Sequence, residues 1–214
     1  MSLLMDMTLR SYCDVLASSE PAPGGGSTAA LSGALGASLT MMVVNLSVGK
    51  KTYEGLDEHI KEAFMKEFDN VKALQKELTG LVDEDTQAFN KFMEAMKLPK
   101  DTEEQKKARG EKMQEASLYA LQVPLKTAES CFNLLKNQTS IARYGNKNAV
   151  SDVGVGALLA LSGLEGAVLN VNINLPGIAN EAVRTEAYER CRRFTAEGRK
   201  LHDELLDIVN SRIG

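Results

Sequence analysis

The sequence predicts an all-α fold, a helical bundle built on two central helices rich in glycine and alanine. Three observations predict it. Residues 29–48 form a 20-residue stretch with no charge, entered through Gly24, Gly25 and Gly26 and closed by Lys50 and Lys51. A second run, VGVGALLALSGLEGAVLNVNINL, mirrors the first, with Glu165 as its one charge. Elsewhere apolar residues recur every three or four positions, the helical period, and no strand–helix–strand alternation is present.

At 214 residues the chain has enough length for a sizeable core and is read as a single domain, 1–214. Its 25 basic residues stand against 29 acidic ones. That balance lacks the basic excess of a nucleic-acid binder, and 5% aromatics with no Trp offer no platform for base stacking. Cys13, Cys131 and Cys191 are odd in number and far apart, which predicts free thiols in a reducing compartment, the cytoplasm. His59 and His202 stand alone, so no metal site is expected. The start, MSLLMDMTLR, lacks the basic and apolar regions of a signal peptide. Residues 29–48 are long enough to span a bilayer. Ser32, Ser38, Thr40, Asn45 and Ser47 within them, the small side chains and the missing Trp/Tyr belt predict instead a helix buried in a soluble protein.

Taking the elements in order, Thr8 caps a short helix over 9–17, with Leu9, Tyr12, Cys13 and Leu16 on one face. Residues 18–26 are a loop carrying Pro21 and Pro23. Ser27 or Thr28 caps the first central helix, and Gly49 terminates it. Within it Gly26, Ala30, Ala34 and Ser38, and again Ala29, Gly33 and Ala37, recur every four residues as ridges that admit close helix packing. Residues 57–96 read as helix, in one long piece or in more than one, with a stripe of Phe68, Val71, Leu74, Leu78, Val82, Phe89, Phe92 and Met96. Asp101 with Glu104 forms a capping box for the next helix, which Pro124 kinks or breaks. It resumes over 125–136, with Leu125, Ala128, Cys131, Phe132 and Leu135 inward. RYGNKNAV, 143–150, is a turn, and Ser151 or Asp152 caps the second central helix. Asn170, Asn172 and Asn174 alternate with apolar residues, as in a strand or in a helix end lining a polar cavity. Asn180 starts the last helix. Its stripe of Ala187, Cys191, Phe194, Gly198, Leu201, Leu205 and Ile208 steps by four and three, the pattern of a bundle or dimer face.

Four features carry chemistry. The triple-glycine entry leaves backbone N–H groups open at the positive end of a helix, where an anion is readily held. One glycine would suffice for a cap. Asp85 fills a slot on the apolar stripe of its helix, where an acid is costly unless partnered and where its pKa is moved. A structural partner and a functional role account for it equally. Asp152 is explained by capping alone. Lys50 and Lys51 are a solvated pair or receive a carboxylate-bearing ligand. Generic motifs do not apply. GGGST lacks the lysine of a phosphate-binding loop, and no G-x-S-x-G is present.

Three long blocks in order are more specific: PAPGGGSTAALSGALGASLTMMVVNLSVGKKTYEG, LVDEDTQAFNKFMEAMKLPK and GNKNAVSDVGVGALLALSGLEGAVLNVNINL. Together, over nearly the whole chain, they resemble the cyclodeaminase/cyclohydrolase family of folate enzymes. These are stand-alone relatives of the C-terminal domain of formiminotransferase-cyclodeaminase. The resemblance implies an all-helical homodimer in the cytoplasm, acting on a tetrahydrofolate one-carbon derivative that can carry a polyglutamate tail. It implies either hydrolysis of 5,10-methenyltetrahydrofolate to 10-formyltetrahydrofolate or closure of 5-formiminotetrahydrofolate with loss of ammonia. A stand-alone chain favours the hydrolysis, and a non-catalytic folate-binding protein is the rival class. Neither reaction calls for a metal, or for a cofactor beyond the folate substrate. On this resemblance Asp85 is general base or cation stabiliser and Asp152 the second acid. Gly24, Gly25, Gly26 and Ser27 hold a substrate carboxylate or pterin edge, Lys50 and Lys51 attract the glutamate tail, and Asn146 and Asn172 bond the pterin.

Overall fold

A computed structural model describes residues 3–214; Met1 and Ser2, at the head of the N-terminal segment read above, lie outside it. Every regular element among the described residues is helical. Helix α1, Leu9–Leu16, is capped by the Thr8 side chain as expected. Helix α2, Gly25–Asn45, begins earlier than Ser27 or Thr28 would set it, because Gly24 is its N-cap. It ends at Asn45, and Gly49, at φ +78, closes the turns that follow instead of the helix itself. A short α3, Lys51–Glu54, leads to α4, Glu58–Met96, one unbroken helix of 39 residues. At 1.5 Å per residue α4 is about 58 Å long and spans the molecule.

Helix α5, Glu103–Lys136, starts with a capping box one residue later than expected, built by Thr102 and Gln105. It also runs straight through Pro124. The reason is visible at Ala120. Pro124 has no N–H for the carbonyl four residues back, and Asn174 Nδ2 donates to that carbonyl at 2.9 Å instead. Helix α6, Thr139–Tyr144, takes up the start of the expected 143–150 turn. After a 3₁₀ turn, Lys147–Ala149, helix α7 runs over Val150–Asn174, so residues 170–174 are helix and not strand. Its N-cap is Ala149, and Asp152 lies inside the first turn without a capping hydrogen bond. Helix α8, Glu181–Ile213, is capped by Asn180.

The two small-residue helices pack against each other, antiparallel. A Cβ added at Gly36 would lie 2.6 Å from the Gly156 carbonyl oxygen, and one at Gly163 would lie 2.8 Å from that of Ala29. Glycine weakens a helix by about 1 kcal/mol relative to alanine; here it admits backbone-to-backbone contact that any side chain blocks. α4 lies antiparallel to α2, with Leu78 against Gly33. α5 closes the other side, its Cys131 wedged against Gly33 and Gly163. α8 covers α7 and α5, with Phe194 stacked on Phe132 at 5.1 Å and Gly198 admitting Leu164. The stripe on α8 is therefore spent inside the chain: Ala187, Cys191, Phe194, Gly198 and Leu205 are all buried.

α4 also supplies carboxylates to the N-termini of its neighbours. Glu67 accepts from the amides of Ser140 and Ile141 at the start of α6, Asp83 from the amide of Leu4, and Asp85 from that of Ser27 in α2. Each meets orphan N–H groups at the positive end of a helix or turn.

Candidate active site

The period of α4 places Asp85 on its inward face beside Leu81, Val82 and Ala88, all buried. Asp83, two residues away, turns to the N-terminal segment instead. The carboxylate of Asp85 reaches the first turn of α2. Its Oδ2 accepts from the Ser27 amide at 2.9 Å and the Ser27 hydroxyl at 3.0 Å. Its Oδ1 lies over Gly26, so close that a Cβ there would overlap the carboxylate. On the neighbouring residue, a Cβ at Gly25 would come within 3.3 Å of the Asn170 amide. The glycine run is thus explained at two positions: it is the floor between an acid from α4 and an amide from α7. Gly24 meets nothing. The amides of Gly25 and Gly26 have no acceptor among the described residues, which leaves them facing whatever enters.

Burial pushes the Asp85 carboxyl above its ordinary value, and the two hydrogen bonds from Ser27 pull it back only in part. A raised carboxyl at a cavity wall is a stronger base than a free carboxylate and better suited to proton transfer. Tyr12, the one buried residue of α1, shares a hydrogen bond with Thr28 Oγ1 at 3.2 Å, and Thr28 Oγ1 lies at 2.9 Å from the Gly24 carbonyl. This chain ties α1 to the glycine turn. Burial raises the Tyr12 pKa, as does the nearby Asp85 charge, while the Thr28 bond lowers it.

Asp85, Gly24, Gly25 and Gly26 line a cavity of about 530 Å³. Phe89 and Phe92 of α4 supply an aromatic wall, Ser117 and Ala120 of α5 a second, Asn170, Ile173 and Asn174 of α7 a third. Ser27 lies just behind it, buried, as the partner of Asp85. Another cavity, of about 610 Å³, opens on a different face of α4 and α5, around Lys91, Glu94 and Tyr119. Its charged rim is partly self-paired, Lys112 with Glu115 at 2.7 Å, and it contains neither a buried acid nor an open helix end. The 530 Å³ cavity is therefore the candidate site.

Half of the expected site residues are elsewhere in this chain. α2 and α7 run antiparallel, so Asp152, Lys50, Lys51 and Asn146 gather at the opposite end of the pair. Asp152 is about 27 Å along α7 from Asn170 at 1.5 Å per residue. The Asn146 amide is used locally, accepting from the Asn148 amide and donating to the Leu46 carbonyl. Asn172 is exposed and does not line the cavity; its neighbours Asn170 and Asn174 do. Helical rather than strand geometry decides this, since residues four apart share a face and residues two apart do not. Phe89 and Phe92 were visible only as members of an apolar stripe, and Ser117 gave no signal beyond its polarity.

Comparison with known proteins agrees with this architecture. The formiminotransferase-cyclodeaminase family model matches residues 8–193. A methenyltetrahydrofolate cyclohydrolase from Methylorubrum extorquens is 39% identical over 206 residues, which covers 96% of this chain and 97% of that protein. The formimidoyltransferase-cyclodeaminase of Gallus gallus is 34% identical over 98% of this chain, which spans only 38% of that longer protein. The crystal structure of formiminotetrahydrofolate cyclodeaminase from Thermotoga maritima superposes with a TM-score of 0.83 at 26% identity, covering 98% of each chain. Matched along its length in sequence and in fold, with its glycine turn set against a buried acid, this chain belongs to the formiminotransferase-cyclodeaminase family.

Proposed function

We propose that this protein acts at the N5/N10 bridge of tetrahydrofolate and hydrolyses 5,10-methenyltetrahydrofolate to 10-formyltetrahydrofolate. The observation that carries the reading is Asp85: a carboxyl raised by burial, fixed by Ser27 and set in a cavity with aromatic walls. Greater identity to the cyclohydrolase than to the cyclodeaminases favours hydrolysis over ring closure. The substrate carbon is a cationic amidine. Asp85 in its charged form stabilises that cation and takes a proton from water as the oxygen attacks the bridging carbon. The C–N5 bond then breaks and Asp85 returns the proton to N5. The second hydroxyl proton goes to solvent, leaving the formyl group on N10. Phe89 and Phe92 flank the planar pterin or aminobenzoyl ring, and the Gly25 and Gly26 amides receive an anionic or carbonyl oxygen.

The working unit in this reading is a homodimer. Leu35 and Met42 of α2 with Val155, Leu158, Leu169 and Ile173 of α7 form an apolar face between 38% and 78% exposed. α2 and α7 are long and apolar enough to cross a membrane, yet 56% and 44% of their apolar windows are buried inside the chain. A second copy laid antiparallel over this face covers the remainder. It also reverses the ends, bringing the partner's Asp152, Lys50 and Lys51 toward the Asp85 cavity. There Asp152 serves as the second acid, and the lysines meet a glutamate tail. Three free thiols fit a cytoplasmic setting.

The test follows the near-ultraviolet band of 5,10-methenyltetrahydrofolate with purified protein. Loss of the band without ammonia is the expected result. Appearance of the band from 5-formiminotetrahydrofolate, with ammonia, assigns cyclodeaminase instead. Binding with no change in either substrate leaves a non-catalytic folate-binding protein.

A further inference from the structure

The α7 wall of the cavity carries two amides one turn apart, and both have their nitrogens committed. Asn170 Nδ2 donates to the Gly166 carbonyl at 2.8 Å, and Asn174 Nδ2 donates to the Ala120 carbonyl at 2.9 Å. The second commitment is enforced by sequence, because Pro124 leaves Ala120 without its helical donor. With the nitrogens fixed, the two side-chain carbonyl oxygens have no donor among the described residues, and both residues line the cavity. Residues four apart on a helix stand about 5–6 Å apart at Cβ. The wall is therefore a pair of acceptors of set spacing and set orientation.

A half-buried acceptor pair on a cavity wall is matched by a ligand with two donors on one edge. The reduced pterin has such an edge: N8–H and the 2-amino group flank N1. N5 lies on the far side of the reduced ring from N8, and N10 hangs beyond it. An α7 wall gripping the N8 edge therefore turns N5 and N10 across the cavity toward α4. The glycine floor has the same order, with Gly25 against Asn170 and Gly26 against Asp85.

Resting on the folate reading above, we propose that the side-chain carbonyls of Asn170 and Asn174 read the N8–H and 2-amino donors of the reduced pterin. They set which edge of the substrate faces Asp85. They are positioning and specificity residues and touch no reacting atom. Fully oxidised folate, whose N8 carries a lone pair and no hydrogen, is repelled at one acceptor. A pterin lacking the 2-amino group leaves the other unpaired.

The experiment measures binding of tetrahydrofolate, 2-desamino-2-methyltetrahydrofolate and folic acid by calorimetry. The proteins are the wild type, Asn170→Leu and Asn174→Leu. The wild type is expected to prefer tetrahydrofolate at least tenfold over each analogue. Each variant is expected to lose one of these preferences, its ratio falling below threefold. Asn170→Ser keeps a donor for the Gly166 carbonyl while its shorter side chain draws the acceptor oxygen back to the helix surface and out of reach of the ligand, so it reads the same effect if the leucine variants fail to fold. A wild type that binds all three ligands alike overturns the proposal, as do variants that keep both preferences; either result leaves the folate reading standing. A wild type that binds none of the three overturns the folate reading, and this proposal with it.

Discussion

Asp85 and Gly26 act as one unit, and each explains the other. The acid sits where a helix needs a cap, which alone would make it structural, but burial raises its pKa rather than lowering it. The sign follows from that direction. A carboxyl raised in the folded state adds stability below its unfolded value, about 3.9, and loses that contribution as pH rises through the folded value. Relative to Asp85→Asn, the wild type is therefore expected to be most favoured below about pH 4 and to lose ground as pH rises from there, read by thermal denaturation as a function of pH. A purely structural cap gives the opposite slope. Gly26→Ala is expected to displace the carboxylate and destabilise the protein by about 1–3 kcal/mol, while Gly24→Ala, with nothing near its Cβ, folds as the wild type. The acid was legible in the sequence as a break in an apolar stripe. The reason for Gly25 and Gly26 was not, because it lies in contacts to residues 145 and 59 positions away.

The helices were legible because their periodicity is local, while their ends depend on partners far along the chain. Ser27 has the residue type of an N-cap, yet α2 starts at Gly25 because Asp85 of α4 satisfies the Ser27 amide. Pro124 reads as a break, yet α5 continues because Asn174 of α7 takes the freed carbonyl. Space around each glycine sets the sign of its replacement. Gly80→Ala in α4 and Gly110→Ala in α5 meet nothing within 4 Å and are expected to stabilise by about 1 kcal/mol, the propensity difference. Gly36→Ala drives a Cβ into the Gly156 carbonyl. There the overpacking cost of about 1–3 kcal/mol outweighs the same gain, so a net loss is expected. Urea denaturation of the three variants reads both signs.

One chain contains one half of the expected site at each end of the α2–α7 pair, and no sequence pattern states which end faces which across a twofold. An antiparallel homodimer makes a sharp prediction. A mixture of Asp85→Asn and Asp152→Asn proteins, dissociated and reassembled together, contains hybrid dimers with one intact site, so activity is expected to return where each variant alone is inactive. No recovery removes Asp152 from the chemistry or overturns the antiparallel arrangement. Leu158→Glu is expected to shift sedimentation toward the monomer and to abolish turnover with it. The most direct measurement is the rate at which Asp85→Asn protein, still folded and dimeric, consumes 5,10-methenyltetrahydrofolate beside the wild type. A positioned proton-transfer group contributes about 10²–10⁴ in rate, so a fall of at least a hundredfold is expected; turnover within tenfold of wild type contradicts the account.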